Sequence, residues 1–135
     1  METLAHEIAL ISAFIIRERR QRMIEMLQNP KRRIKLLQRL AHFGDLDSRF
    51  AHRIPSNQQS AISIGELLKQ KGALETCHII SENTDIDGKD LPLLDVLLEI
   101  VGHGMGTLLS CIPGKLGYYE GESPGERYVL ERVNV

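Results

Sequence analysis

Aromatic residues are scarce in this chain: tryptophan is absent, and three phenylalanines and three tyrosines occur among 135 residues. Because 42% of the residues are nevertheless apolar, the core must consist mostly of leucine and isoleucine. A chain of this length buries enough surface to fold without disulfides or a structural metal. It also matches the size of one domain, so we expect residues 1–135 to form a single domain.

Cysteine and long apolar segments are also limited. Cys77 and Cys111 both lie in apolar segments, and two cysteines in a short chain favour buried thiols in a reducing compartment over a disulfide framework. The longest apolar run, residues 8–16, is about half the length of a membrane-spanning helix. No basic segment precedes it, as one would in a signal peptide. We therefore expect a cytoplasmic protein that does not contact a membrane.

The first half of the chain has helical periodicity. Apolar residues repeat at helical spacing over residues 3–28, which predicts one long helix, and Asn29-Pro30 then favours the start of a second helix over residues 30–42. Ser63 to Glu66 matches the capping box of a short helix that ends before Gly72. The predicted parts are a helical hairpin, a connecting loop and a sheet portion, at residues 1–44, 45–62 and 63–135.

The second half predicts a β-α-β-β-β arrangement. A strand over residues 76–82 precedes a helix that begins at Asp90-Leu-Pro92, and three further strands are separated by proline-glycine turns. The strands at 76–82 and 107–112 would be parallel and joined by the helix as a right-handed crossover. The predicted fold class is therefore α/β (α+β), with an N-terminal helical hairpin packed on a mixed sheet.

Charge is unevenly distributed although the net charge is only −1. Residues 1–60 carry 11 Lys/Arg and 6 Asp/Glu, whereas residues 61–135 carry 6 and 12. The cations concentrate between Arg17 and Arg39, where they could neutralise several backbone phosphates. One hypothesis is thus a nucleic-acid-binding protein that uses this basic region. Its predicted contact residues are Arg19, Arg32, Lys35 and Arg39.

Two features of the sequence weigh against a nucleic-acid-binding function. The basic region has no interleaved aromatic residues for base stacking, and it lacks the short glycine-containing turn of a helix-turn-helix motif. The competing interpretation is a solvated helix face, or one paired with the carboxylates of Glu120, Glu122 and Glu126.

An acidic segment at residues 85–90 is similar to the start of a calcium loop. The twelfth position of that pattern requires glutamate, and this chain has Val96 there. A turn at Asp87-Gly88 and a helix cap at Asp90 explain the segment without a metal. The alternative is a small enzyme or ligand-binding domain with its site near Glu82–Asp90, at the edge where ligands bind open α/β sheets. That site would comprise Glu82, Asp85, Asp87 and Cys111.

No catalytic or metal site is predicted. The segment Gly102 to Gly106 follows a helix and enters a strand, whereas phosphate-binding loops precede a helix. The side chains of Cys77 and His78 point to opposite faces of a strand and lack zinc-ligand spacing. A nucleophile pair of Cys77 with His103 is a second possible catalytic arrangement, besides the site near Glu82–Asp90. We accordingly expect no cofactor, and the sequence favours a protein that is not an enzyme.

The leading hypothesis is a non-catalytic protein-interaction or regulatory protein. Residues 8–16 make the first predicted helix apolar nearly all round, and such a helix must be buried against its own core or against a partner. This pattern predicts self-association as a homodimer through the first helix, with nucleic acid as the alternative partner.

Overall fold

The computed structural model describes residues 2–132. Within that range the chain forms an α+β fold, as the sequence predicts, with five α-helices and six strands. The helices are α1 (Glu2–Phe14), α2 (Arg20–Gln28), α3 (Pro30–Gln38), α4 (Ala61–Gln70) and α5 (Leu93–Ile100). The strands are β1 (Ala51–Arg53), β2 (Thr76–Ser81), β3 (Asp90–Pro92), β4 (Thr107–Ile112), β5 (Leu116–Glu120) and β6 (Arg127–Glu131).

The six strands form one sheet in the order β1-β6-β5-β4-β2-β3, and every neighbouring pair is antiparallel. The predicted parallel pairing of residues 76–82 with 107–112 is therefore wrong. The cause is β3, a strand that was not predicted, which brings the chain back along β2 before α5 begins. Helix α5 then carries the chain back to the carboxyl end of β2. Strand β4 begins there, with Thr107 opposite Ser81, and runs antiparallel to β2.

The predicted helix over residues 3–28 is interrupted in the structure. Helix α1 ends at Phe14, and Ile15 forms an isolated β-bridge with Leu46 before a 3₁₀ turn at Arg17–Arg19. The Nε of Arg20 donates to the carbonyl oxygen of Ile15 at 2.8 Å, which satisfies a group that the broken helix leaves free. The N-terminal hairpin therefore consists of α2 and α3, and α1 is a separate helix.

Two local predictions at helix starts have different outcomes. The side chain of Asn29 accepts hydrogen bonds from the backbone of Lys31 and Arg32, and Pro30 is the first residue of α3, as predicted. The capping box predicted at Ser63 is wrong, because Ser60 caps α4 instead and accepts from the backbone of Ser63. The predicted loop over residues 45–62 also contains the edge strand β1.

The sheet is covered on both faces. Helices α1, α2 and α3 pack on one face, where Ile80, Leu108 and Leu130 contact them, and helices α4 and α5 pack on the other over Ile79 and Leu109. Neighbouring residues of one strand thus point to different cores. Both faces are covered most completely at the centre of the sheet, where every residue of β5 and all of β4 except Ile112 are buried.

The apolar face of α1 is buried inside the chain. Leu10, Ile11 and Phe14 are at most 1% exposed, and they belong to the core that packs on the sheet. The surface on which the homodimer hypothesis rested is therefore covered by the protein's own sheet and hairpin. No helix in residues 2–132 is both long enough and apolar enough to cross a membrane.

Candidate functional site

Helices α2 and α3 pair along their apolar faces and leave their charged faces outward. Met23, Met26 and Leu36 are buried between the hairpin and the sheet. A cavity of about 210 Å³ opens over these three side chains, and its rim carries Arg19, Arg22, Arg39 and His42. The cavity therefore combines an apolar floor with a cationic rim.

A second cavity of about 180 Å³ continues along the hairpin, lined by Arg22, Arg32, Lys35 and Glu25. Arg22 and Met26 line both cavities, so the two cavities adjoin, and we call them together the basic cleft. Its five cations are Arg19, Arg22, Arg32, Lys35 and Arg39, and all five are exposed.

The structure brings together the four residues that the sequence suggested for nucleic acid. Arg19 and Arg39 lie at one end of the basic cleft, and Arg32 and Lys35 lie at the other. Sequence reasoning did not select Arg22, which joins the two ends. It lies in α2, after the 3₁₀ turn that interrupts the predicted long helix.

The positive charge of the basic cleft is not neutralised by neighbouring carboxylates. Across residues 2–132, none of the five cations forms an ion pair, and the one side-chain hydrogen bond of Arg39 goes to the sulfur of Met26, at 3.5 Å. Glu25 and Asp45 line the cleft, so five cations face two carboxylates. The arrangement leaves a net positive groove open to solvent.

The acidic residues expected to pair with the basic face have other partners. Glu120 accepts from the hydroxyl of Tyr118 at 2.7 Å and from the backbone of Gly102 at 2.9 Å. Glu122 contacts His42 at 2.6 Å, and Glu126 accepts from the backbone of Ser123 at 3.2 Å. Among the described residues, none of these three carboxylates pairs with a Lys or Arg of the basic region, so of the two competing interpretations the solvated helix face remains.

An aromatic pocket adjoins the basic cleft. Phe43 and Gly44 line both spaces, and beyond them a cavity of about 220 Å³ is bounded by Tyr119, Tyr128 and Glu126. The ring centroids of Phe43 and Tyr119 are 6.0 Å apart, and those of Tyr119 and Tyr128 are 6.3 Å apart. These residues come from distant parts of the chain, so no local pattern in the sequence indicates the pocket.

Buried ion pairs attach the hairpin to the rest of the fold. The guanidinium of Arg33 in α3 donates to both oxygens of Glu7 at 2.8 Å, and its Nε donates to Asp87 at 2.8 Å. Burial alone would raise the pKa of Glu7, but the hydrogen bonds from Arg33 and His78 outweigh it and hold that pKa below its ordinary value. Arg33 therefore fixes α3 against α1 and the loop after β2.

His78 continues this network on the other side of Glu7. Its Nε2 lies 2.8 Å from a Glu7 oxygen and its Nδ1 lies 2.8 Å from Asp90, while the ring stacks on His6 with centroids 5.6 Å apart. Two carboxylate partners require both ring nitrogens to donate, as in an imidazolium. Burial would lower the pKa of His78, but the hydrogen bonds to Glu7 and Asp90 raise it above its ordinary value.

The structure disperses the four residues of the alternative acidic site. Asp87 is bound by Arg33, and Glu82 accepts from the backbone of Gly106 at 3.0 Å. Asp85 is exposed, and Cys111 belongs to the core on the α4–α5 side of the sheet, opposite the hairpin. Within residues 2–132 no group of three or more His, Cys, Asp or Glu side chains is placed to hold a metal ion.

Two further predictions around this segment are corrected. Asp90 does not cap α5, because it lies in β3 and bonds His78, and α5 begins after Pro92 without a side-chain cap. The pair of Cys77 with His103 is not assembled either, since Cys77 is buried and the ring of His103 is exposed beside the carbonyl oxygen of Glu99. Burial also raises the pKa of Cys77 to about 12, which keeps it a thiol rather than a nucleophilic thiolate.

The chemistry available at the surface is thus recognition of anions beside an aromatic pocket. Arginine presents a planar fork of donors that matches phosphate oxygens, and lysine adds a compact charge. Comparison of the chain with protein-family models, curated proteins and solved structures found no match.

Proposed function

We propose that this protein binds nucleic acid through the basic cleft of the α2–α3 hairpin. The observation that carries the proposal is the grouping of five exposed cations around two adjoining cavities, with no ion pair to any of them in residues 2–132. Unpaired Lys and Arg side chains on one face are the electrostatic footprint of a protein that contacts phosphates.

Binding of this kind holds the strand by its backbone. Contacts to phosphate oxygens fix the position of the ligand but do not read its sequence, so the basic cleft would bind strands of different sequence with similar affinity. The proposal requires no catalytic step.

The competing functions have less support. Self-association through α1 depended on a free apolar face, and Ile11 at the centre of that face is 0% exposed. A small-molecule or enzymatic site near Glu82–Asp90 depended on available carboxylates, and those of Glu82 and Asp87 are already hydrogen-bonded within the fold.

The test is fluorescence anisotropy with labelled oligonucleotides at low salt. The triple substitution Arg22→Ala, Lys35→Ala and Arg39→Ala removes cations from both ends of the cleft and should weaken binding of every sequence alike. A matched control, Lys69→Ala, Lys89→Ala and Lys115→Ala, removes the same charge from exposed positions elsewhere and should bind almost as the wild type does.

Two outcomes would contradict the proposal. One is the absence of wild-type binding to any single strand or duplex at low salt. The other is an equal loss of affinity in the cleft variant and the control variant, which would show that net charge alone governs the interaction.

A further inference from the structure

The aromatic pocket beside the basic cleft has the size and the lining of a site for one planar group. Its volume of about 220 Å³ is below the roughly 300–1,000 Å³ of pockets that hold drug-sized ligands. Phe43 and Gly44 form a wall common to both spaces. The basic cleft and the aromatic pocket therefore adjoin at these two residues.

The aromatic side chains of the pocket differ in how deeply they are buried. Tyr119 is 1% exposed, and its hydroxyl donates to the carbonyl oxygen of Leu40 at 2.6 Å, so this ring is fixed at the back of the cavity. Phe43 and Tyr128 are partly exposed and also line the cavity. Aromatic side chains arranged in this way are the platforms on which unpaired bases stack.

Glu126 gives the pocket a polar group with unused acceptor capacity. Its Oε1 accepts from the backbone of Ser123 at 3.2 Å, and its Oε2 accepts no hydrogen bond from the described residues, 2–132. A carboxylate can accept from the exocyclic amino group of cytosine, and adenine and guanine carry amino groups as well. Thymine and uracil carry none, so the carboxylate would face only acceptors or a ring N–H.

We propose that the aromatic pocket holds one unpaired base of a single strand whose phosphates lie in the basic cleft, and that Glu126 accepts a hydrogen bond from the amino group of that base. This inference rests on the function proposed above and narrows its ligand from nucleic acid to single-stranded nucleic acid. A base within a duplex is stacked and paired, and its removal from the helix costs free energy. Single strands therefore bind more tightly than duplexes of the same length.

The experiment compares labelled oligo(dC), oligo(dA) and oligo(dT) with a mixed-sequence duplex by fluorescence anisotropy. We expect oligo(dC) and oligo(dA) to bind more tightly than oligo(dT), and the duplex to bind most weakly. The substitutions Phe43→Leu and Tyr128→Leu together should lower the affinity for single strands by roughly 5- to 150-fold, the range expected for loss of one stacked base. Duplex binding should be unchanged.

A second variant separates recognition from stability, because Phe43 and Tyr128 also pack against the core. Glu126→Gln keeps the shape of the side chain and lies at a partly exposed position. It should remove the preference for amino-bearing bases while oligo(dT) still binds. Tyrosine fluorescence provides an independent readout since the chain has no tryptophan, and stacking of a base on Tyr128 should quench it.

The possible failures are distinguishable. If duplex and single strand bind equally, and neither the pocket variants nor Glu126→Gln changes the affinity or the base preference, the base pocket is refuted while the basic cleft stands. If the cleft variant binds as tightly as the wild type, the proposed function itself fails, whatever the pocket variants show.

Discussion

Substitution of Glu7 by glutamine tests how strongly the buried ion pairs hold the hairpin that carries the basic cleft. The carboxylate is 2% exposed. It receives two hydrogen bonds from the guanidinium of Arg33 and one from His78, each at 2.8 Å. Glutamine preserves the size of the side chain but removes its charge and replaces one acceptor oxygen by an amide donor. The cations on either side then face a neutral group.

The expected loss of unfolding free energy in Glu7→Gln follows from the burial of the carboxylate and from the contacts that its partners keep. Removal of one partner from a buried ion pair typically destabilises a protein by about 3–5 kcal/mol. Arg33 is 18% exposed and keeps its bond to Asp87, and His78 keeps its bond to Asp90. The cost should therefore lie at the lower end, about 3 kcal/mol. That is a large fraction of the 5–15 kcal/mol that roughly spans domain stability.

Urea denaturation measures this cost. A loss of about 3 kcal/mol lowers the midpoint by about 1–3 M while the slope stays unchanged. The control is Glu131→Gln, which breaks the more exposed ion pair between Lys71 and Glu131 and should cost less than about 1 kcal/mol. If Glu7→Gln were no more destabilising than Glu131→Gln, the buried network would not be what attaches α3 to α1.

Three further predictions concern the stability of the fold. The pKa of His78 is raised in the folded state, so protonated His78 stabilises the fold fully below its ordinary pKa of 6.5. This stabilisation is lost as the pH rises through the raised pKa. Urea midpoints should therefore fall over that pH range in the wild type but not in His78→Gln. Gly106→Ala places a Cβ in steric overlap with the backbone of Leu40 and Ala41 and should destabilise the fold by about 3 kcal/mol or more in the same assay, as other severe core disruptions do. Asp87→Ala should lower the melting temperature because Arg33 loses a partner, whereas Asp85→Ala, at an exposed position, should leave it unchanged with or without divalent cations.

The sequence predicted those features that depend on neighbours along the chain. Asn29 and Pro30 specify a helix start through their own side chains, and the structure has that start where expected. The cations of the basic cleft are also close in sequence, and one helical hairpin is enough to place Arg32 and Lys35 beside Arg22.

The features that the sequence did not predict depend on long-range contacts. Strand β3 has three residues, too few for a periodic pattern, and yet it reverses the direction in which β4 enters the sheet. The apolar run through Ile15 and Ile16 resembles a continuous helix, but Ile15 pairs with Leu46, which no local pattern indicates. The aromatic pocket likewise exists only because β6 places Tyr128 near Phe43.

The salt dependence of binding tests the central claim most directly. Five cations that each contact a phosphate of a single strand predict a slope of log K against log salt of about −3.5. Removal of Arg22, Lys35 and Arg39 should reduce the magnitude of that slope by about 2, whereas the control variant at Lys69, Lys89 and Lys115 should keep the wild-type slope. A wild-type slope near zero, or a slope that the cleft variant leaves unchanged, would contradict phosphate recognition by the basic cleft.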